Sequence, residues 1–289
     1  MKKRTASVMA TALLLSVATG ASANAFNGFY VGAELGGQST TGREEVSDRQ
    51  SLDVSILDGF LTKDTPLTEA DCHANRKNSL AGGIFAGYGY SCDSWFIGAE
   101  VFARASHYKT TTKGYNSFSF DLDIPSLGDQ HPLLSTPNVL TRTTYTKLNP
   151  WDFGLDIRPG FLLSCDSLVY GKIGVGFNKL KLQQCSSGDI TLNVVGTAFD
   201  LANASNQICA SKKRGVLRLG GGLEQRFCEC FALRLDYTYS HYGKVCASGE
   251  TTKNLLSVDE LIQANFTVGD TASVKVTSNT LMAGLSYYW

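Results

Sequence analysis

The sequence predicts an all-β fold: an eight-stranded antiparallel up-and-down transmembrane β-barrel with four long extracellular loops and three short periplasmic turns. Three observations predict it. Apolar and polar residues alternate with period two in eight separate segments. The connections between those segments alternate strictly between short and long. The polar face of the segments is rich in glycine, of which the chain of 289 residues has 29. Composition agrees: charged residues make up only 18%, sparse for a soluble globular domain. Beyond the N-terminus no run reaches the roughly 18 apolar residues of a membrane-spanning helix. Bases and acids balance at 26 each, so there is no electrostatic footprint for nucleic acid.

Lys2, Lys3 and Arg4 form a basic head, Ala6 to Gly20 is mostly apolar, and Ala21 to Ala25 supplies small residues for cleavage. Residues 1–25 therefore read as a secretory signal peptide, and residues 26–289 as the barrel. Losing the three leader bases leaves 23 bases against 26 acids. In the first segment Phe29, Val31, Ala33 and Leu35 alternate with Tyr30, Gly32, Glu34 and Gly36. The second puts Leu80, Ile84, Ala86 and Tyr88 on one face. After the turn at Cys92, the third has Trp95, Ile97, Ala99, Val101 and Ala103 opposite Glu100, Phe102 and Arg104. The fourth sets Trp151, Phe153, Leu155, Ile157 and Phe161 against Asp152, Asp156 and Arg158. Pro159 cannot donate a ladder hydrogen bond, so a bulge or early strand end is expected there.

A second short turn at Cys165 leads into Val169, Ile173, Val175 and Phe177. The sixth segment carries Leu217, Leu219, Leu223 and Phe227 opposite Arg218 and Glu224. The seventh carries Phe231, Leu233, Leu235, Tyr237 and Tyr239 opposite Arg234 and Asp236, and the last is Leu281 to Trp289. Each is about the ~9–11 residues of a tilted membrane-crossing strand. The long connections run roughly from Gln38 to Asn78, Lys109 to Lys147, Cys185 to Lys213 and Cys246 to Ser273. Within them, Ser51 to Leu61 and Tyr115 to Ile124 alternate enough to extend the barrel outward as hairpins. A secreted lipocalin-like carrier would also alternate, with its apolar face inward. Glycine on the polar face and aromatic residues at the strand ends, such as Trp95, Phe161 and Trp151, favour the membrane version.

Phe29 to Gly36 directly after a leader resembles the first strand of small outer-membrane β-barrel proteins, the OmpA/OmpX-like family. Leu281, Ala283, Leu285, Tyr287 and Trp289 resemble the C-terminal signal by which the barrel-assembly machinery recognises its clients. That family usually ends in Phe, and Trp289 departs from it. The resemblance implies a Gram-negative outer-membrane location, lipid and assembly machinery as partners, and no peptidoglycan-binding domain after the eighth strand. It specifies location and fold better than activity.

An eight-stranded barrel has an interior that side chains fill. The polar face offers Glu34, Glu100, Arg104, Asp152, Asp156, Arg158, Lys172, Arg218, Glu224, Arg234 and Asp236. Enclosed charges of both signs should pair, because an unpaired buried charge is costly. The expectation is a closed, salt-bridge-plugged barrel with a structural and surface-interaction role; a small porin lined by these charges is the alternative. Some barrels of this size modify lipid A with a rim histidine. Ser240, His241 and Tyr242 invite that comparison, but Gly243 stands where a His-x-Ser pattern needs serine. No catalytic, cofactor or metal motif is present, and Cys72 beside His73 lacks zinc-site spacing.

The eight cysteines are unusual for a bacterial outer-membrane barrel. Cys72, Cys185, Cys209 and Cys246 fall in the outer loops; Cys92, Cys165, Cys228 and Cys230 fall in the periplasmic turns. Outside, Cys185 with Cys209 would close the third loop, and Cys72 with Cys246 would join the first and fourth. The turn cysteines are harder to pair within one small barrel and become candidates for bonds to other envelope proteins, which resembles the cross-linked envelopes of chlamydiae. The long loops are candidates for contact with a host or surface ligand, though no motif names one.

Overall fold

The computed structural model describes residues 26–56, 59–65, 71–122, 134–194, 197–258 and 262–289. Residues 1–25, and with them the expected signal peptide, lie outside the described residues. Eleven strands are described: β1 (Gly28–Ile56), β2 (Gly59–Thr65), β3 (Asp71–Cys92), β4 (Trp95–Ser106), β5 (Lys109–Leu122), β6 (Leu134–Leu148), β7 (Trp151–Ser164), β8 (Ser167–Val194), β9 (Thr197–Arg226), β10 (Phe231–Val258) and β11 (Ile262–Tyr288). Eight of them close a ring in the order β1, β3, β4, β7, β8, β9, β10, β11, because β8 pairs with β9 and β11 returns to β1. All of these pairings are antiparallel.

Within this ring the alternation sorts side chains as the sequence predicts. Leu35, Ile84, Ile97, Leu155, Val175, Leu219, Leu235 and Leu285 stand exposed on the outer surface, where only lipid can cover them. Their strand neighbours point inward. Tight turns at Asp93–Ser94 and Cys165–Asp166, and the Phe227–Cys230 turn, close the short end. Asp93 takes a φ of 54°, a left-handed conformation that Asp tolerates better than most residues. Pro159 produces no bulge. Ile157 faces Ile173 and Gly160 faces Tyr170 in one unbroken register, and the bulge falls between Leu162 and Ser164. An outward-facing proline forfeits a ladder bond without displacing its strand.

The long connections are not loops at the rim but continuations of the strands. Beyond the apolar band the ring opens on two sides. Here Pro150, lacking an N–H, separates β6 from β7, and His107 and Tyr108 separate β4 from β5. The outer half of β8 then pairs with β6, which pairs with β5. On the other side β9 and β10 stop pairing beyond Leu217 and His241. The result is two facing sheets, β5–β6–β8–β9 and β3–β1–β11–β10, with β2 beside β1. Between them lies an apolar core that includes Leu148, Leu180, Leu182, Ile208, Val245, Val274 and Val276. Outside the lipid the usual rule returns, apolar inside and polar out, because the outer surface now meets water.

Strand β10 makes that change with a bulge. The register shifts between His241 and Lys244, and Gly243 sits at a φ of +75°. Below the bulge Asp236, Thr238, Ser240 and Tyr242 face inward; above it Val245 and Ala247 do. One extra residue reverses the parity of the strand. Lys244 is thereby turned outward and Val245 inward.

Candidate functional site

All eleven predicted lumen charges point into the barrel, and none exceeds 7% exposure. Glu100 is the hub. Arg234 donates to its Oε2 at 2.6 Å and its Oε1 at 3.1 Å, Arg158 to Oε2 at 3.4 Å, and Lys172 stands 3.8 Å away. Arg158 also donates to Glu224 at 2.5 Å. Lys172 reaches Asp236 at 3.2 Å, and Arg234 pairs with the same carboxylate. Nearer the open end, Arg104 grips Glu34 Oε1 through Nε at 3.1 Å and Nη2 at 2.7 Å. Arg218 lies 3.2 Å from Asp156. Among the described residues Asp152 makes no ion pair; it accepts from Tyr242 at 2.9 Å and from Asn178.

Aromatic rings fill the space around this network. The guanidinium of Arg158 lies 3.8 Å from the ring centre of Tyr170, Arg218 3.6 Å from that of Phe102, and Arg234 4.2 Å from that of Phe85. Phe26, Tyr30, Phe96 and Tyr288 complete a buried cluster with them. Tyr30 accepts from Arg158 at 3.0 Å, and Tyr288 donates to Glu224 at 2.9 Å. Glycine makes the room. A Cβ on Gly154 would stand 2.7 Å from the Phe102 ring, and one on Gly98 would stand 2.9 Å from Phe96. Sequence reasoning assigned aromatics to the membrane interface and missed this filling, although Phe102 between Glu100 and Arg104 already marks the polar face.

At the rim, Ser240 faces inward and His241 is half-buried on the outer side of β10. Neighbouring strand residues face opposite ways, so the two cannot form a proton-transfer pair. Among the described residues no three His, Cys, Asp or Glu side chains group closely enough to hold a metal ion.

All eight cysteines lie among the described residues and are unbonded. The register explains why the expected outer pairs do not meet. Cys185 faces Gln207 and Cys209 faces Gln183, a diagonal offset whose separation is roughly 7–8 Å, beyond disulfide reach. Cys72 and Cys246 share one row, but Glu45 and Ser273 stand between them. Three strand spacings separate them by roughly 14 Å. The first and last hairpins are neighbours as expected, yet these cysteines ride on their far arms. Cys92, Cys165 and Cys228 are exposed at the short turns, and Cys230 is half-buried.

The model of the outer membrane protein beta-barrel domain family matches residues 8–288. The chain belongs to that family. Membership places it in the bacterial outer membrane, where the exposed apolar band has its solvent. A search among curated proteins finds no match. Among solved structures, Ail of Yersinia pestis is 13% identical, over 88% of this chain and 99% of Ail, with a TM-score of 0.30. Neisserial surface protein A is 12% identical, over 91% and 98%, with a TM-score of 0.30. The outer membrane protease OmpT of Escherichia coli is 10% identical, over 91% and 97%, with a TM-score of 0.37. At such scores these likenesses carry nothing about activity.

Proposed function

We propose that this family member is a closed barrel with a structural and surface-interaction role, displaying its two outer sheets rather than conducting solutes. The observation that carries this reading is the lumen: eleven charged residues, each no more than 7% exposed, packed among aromatic rings. Moving ions along that path means breaking buried pairs, each costing about 3–5 kcal/mol to disrupt. Export by residues 1–25 belongs to the same proposal, as does recognition of the Leu281 to Trp289 strand by the barrel-assembly machinery. Leu281, Leu285, Tyr287 and Trp289 all face outward, open to such a partner. So does cross-linking to other envelope proteins through Cys92, Cys165 and Cys228, which are exposed together at the periplasmic end.

Purified protein in planar bilayers tests the closed lumen. The expected record is flat; stable steps in the nanosiemens range would overturn it in favour of a small porin. Outer membranes run on gels with and without reductant, after thiols are blocked at lysis, test the cross-links. Ladders that collapse to monomer are expected, and monomer in both lanes removes the cross-linking role.

A further inference from the structure

The outward face of the β5–β6–β8–β9 sheet, just beyond the apolar band, is lined with lysine. Register sets Lys109, Lys147 and Lys181 side by side on three neighbouring strands, and Lys179 opposite Lys213 one step nearer the band. All five are exposed. The row of three spans roughly 10 Å, two strand spacings. Like charges directly opposite each other repel, yet none of the five has an ion-pair partner among the described residues. Nor does the neighbouring part of the sheet offer one. The next outward stretches, 111–115, 141–145, 183–187 and 205–211, contain no carboxylate. The opposite sheet is different, since there Lys244 meets Glu45 at 2.7 Å.

The patch is open to an outside anion, and its position beside the apolar band favours a lipid headgroup. Two residues below Lys179 on the same face of β8, Phe177 is 66% exposed, with Val175 and Ile173 beneath it at 50%. An acyl chain lying along Ile173, Val175 and Phe177 brings its headgroup level with Lys179, Lys181 and Lys213. We propose that this lysine patch binds the phosphates of an anionic outer-leaflet lipid whose chains pack against β8 and β9. The inference rests on the long sheets facing outward and is independent of whether the lumen conducts.

The full mature chain, refolded into phosphatidylcholine vesicles, tests this. The vesicles carry either bis-phosphorylated lipid A or the same lipid with both phosphates removed, and the lipid retained after detergent extraction is measured. A variant with Lys109→Gln, Lys147→Gln, Lys181→Gln and Lys213→Gln is run in parallel, its folding checked by heat-dependent gel mobility. The wild type should retain at least about five-fold more of the phosphorylated lipid than the variant does, and the two should not differ on the dephosphorylated lipid. Equal retention of both lipids, or by both proteins, overturns the proposal. Tight binding of soluble inorganic polyphosphate by the wild type, without any lipid preference, would also overturn it and assign the patch to a free polyanion.

Discussion

Arg158 ties two carboxylates of the lumen network together. It is fully buried, joins Glu100 to Glu224, and rests on the face of Tyr170. Arg158→Met keeps much of the volume but leaves two carboxylates short of a cation. The expected loss is about 3–5 kcal/mol, read as a lower urea midpoint in detergent or lipid. Arg158→Met combined with Glu224→Leu should lose less than the single change, because it removes the stranded charge as well. The exposed pair Glu45–Lys244 makes the contrast. Hydrogen bonds from Lys244 and Ser273 hold the Glu45 carboxyl below its ordinary value of 4.5. Its folded-state pKa is depressed, so any stability it adds is complete above 4.5 and is lost as pH falls through the lowered value. Lys244→Ala should move the Glu45 titration, followed by NMR, back up toward 4.5. Such water-exposed pairs contribute little, and salt should erase most of this one.

Strand β10 shows how one residue redirects an element. Its lower half faces a charged lumen and its upper half an apolar core, and the two demand opposite parity at Lys244 and Val245. The bulge at Tyr242 and Gly243 supplies the extra residue, and the φ of +75° at Gly243 suits a residue without a Cβ. Deleting Gly243 should drive Lys244 into the core lined by Val245, Val274 and Val276 and pull the upper part of β10 off β11. The expected readout is new tryptic cleavage at Lys244 with the lower barrel still heat-modifiable. Unchanged protease resistance would mean the parity change has another source. The alternation of β10 was legible in the sequence up to Tyr239, but the reversal was not. A Tyr-Gly pair signals a bulge only once its partner strand and the two environments it crosses are known.

Across the whole molecule the cysteines report orientation. A membrane-impermeant maleimide added to intact cells should label Cys72, Cys209 and Cys246, which are exposed on the outer sheets. Cys92, Cys165 and Cys228 should label only after the outer membrane is opened; the reverse pattern would invert the barrel. The sequence by itself determined the all-β class, the eight membrane strands, their inward and outward faces, and the short and long ends, because each rests on period-two patterning written in neighbouring residues. It also determined which charges enter the lumen, since parity alone decides that. Only the tertiary structure decided which charge meets which, that phenylalanine and tyrosine fill the glycine-lined space, and that four long loops assemble as two facing sheets. It alone placed Cys72 three strands from Cys246 and aligned five lysines from four strands. Those facts depend on register and on strands far apart in the chain, and the free energy that fixes them comes from packing and pairing across the barrel, which no local pattern records.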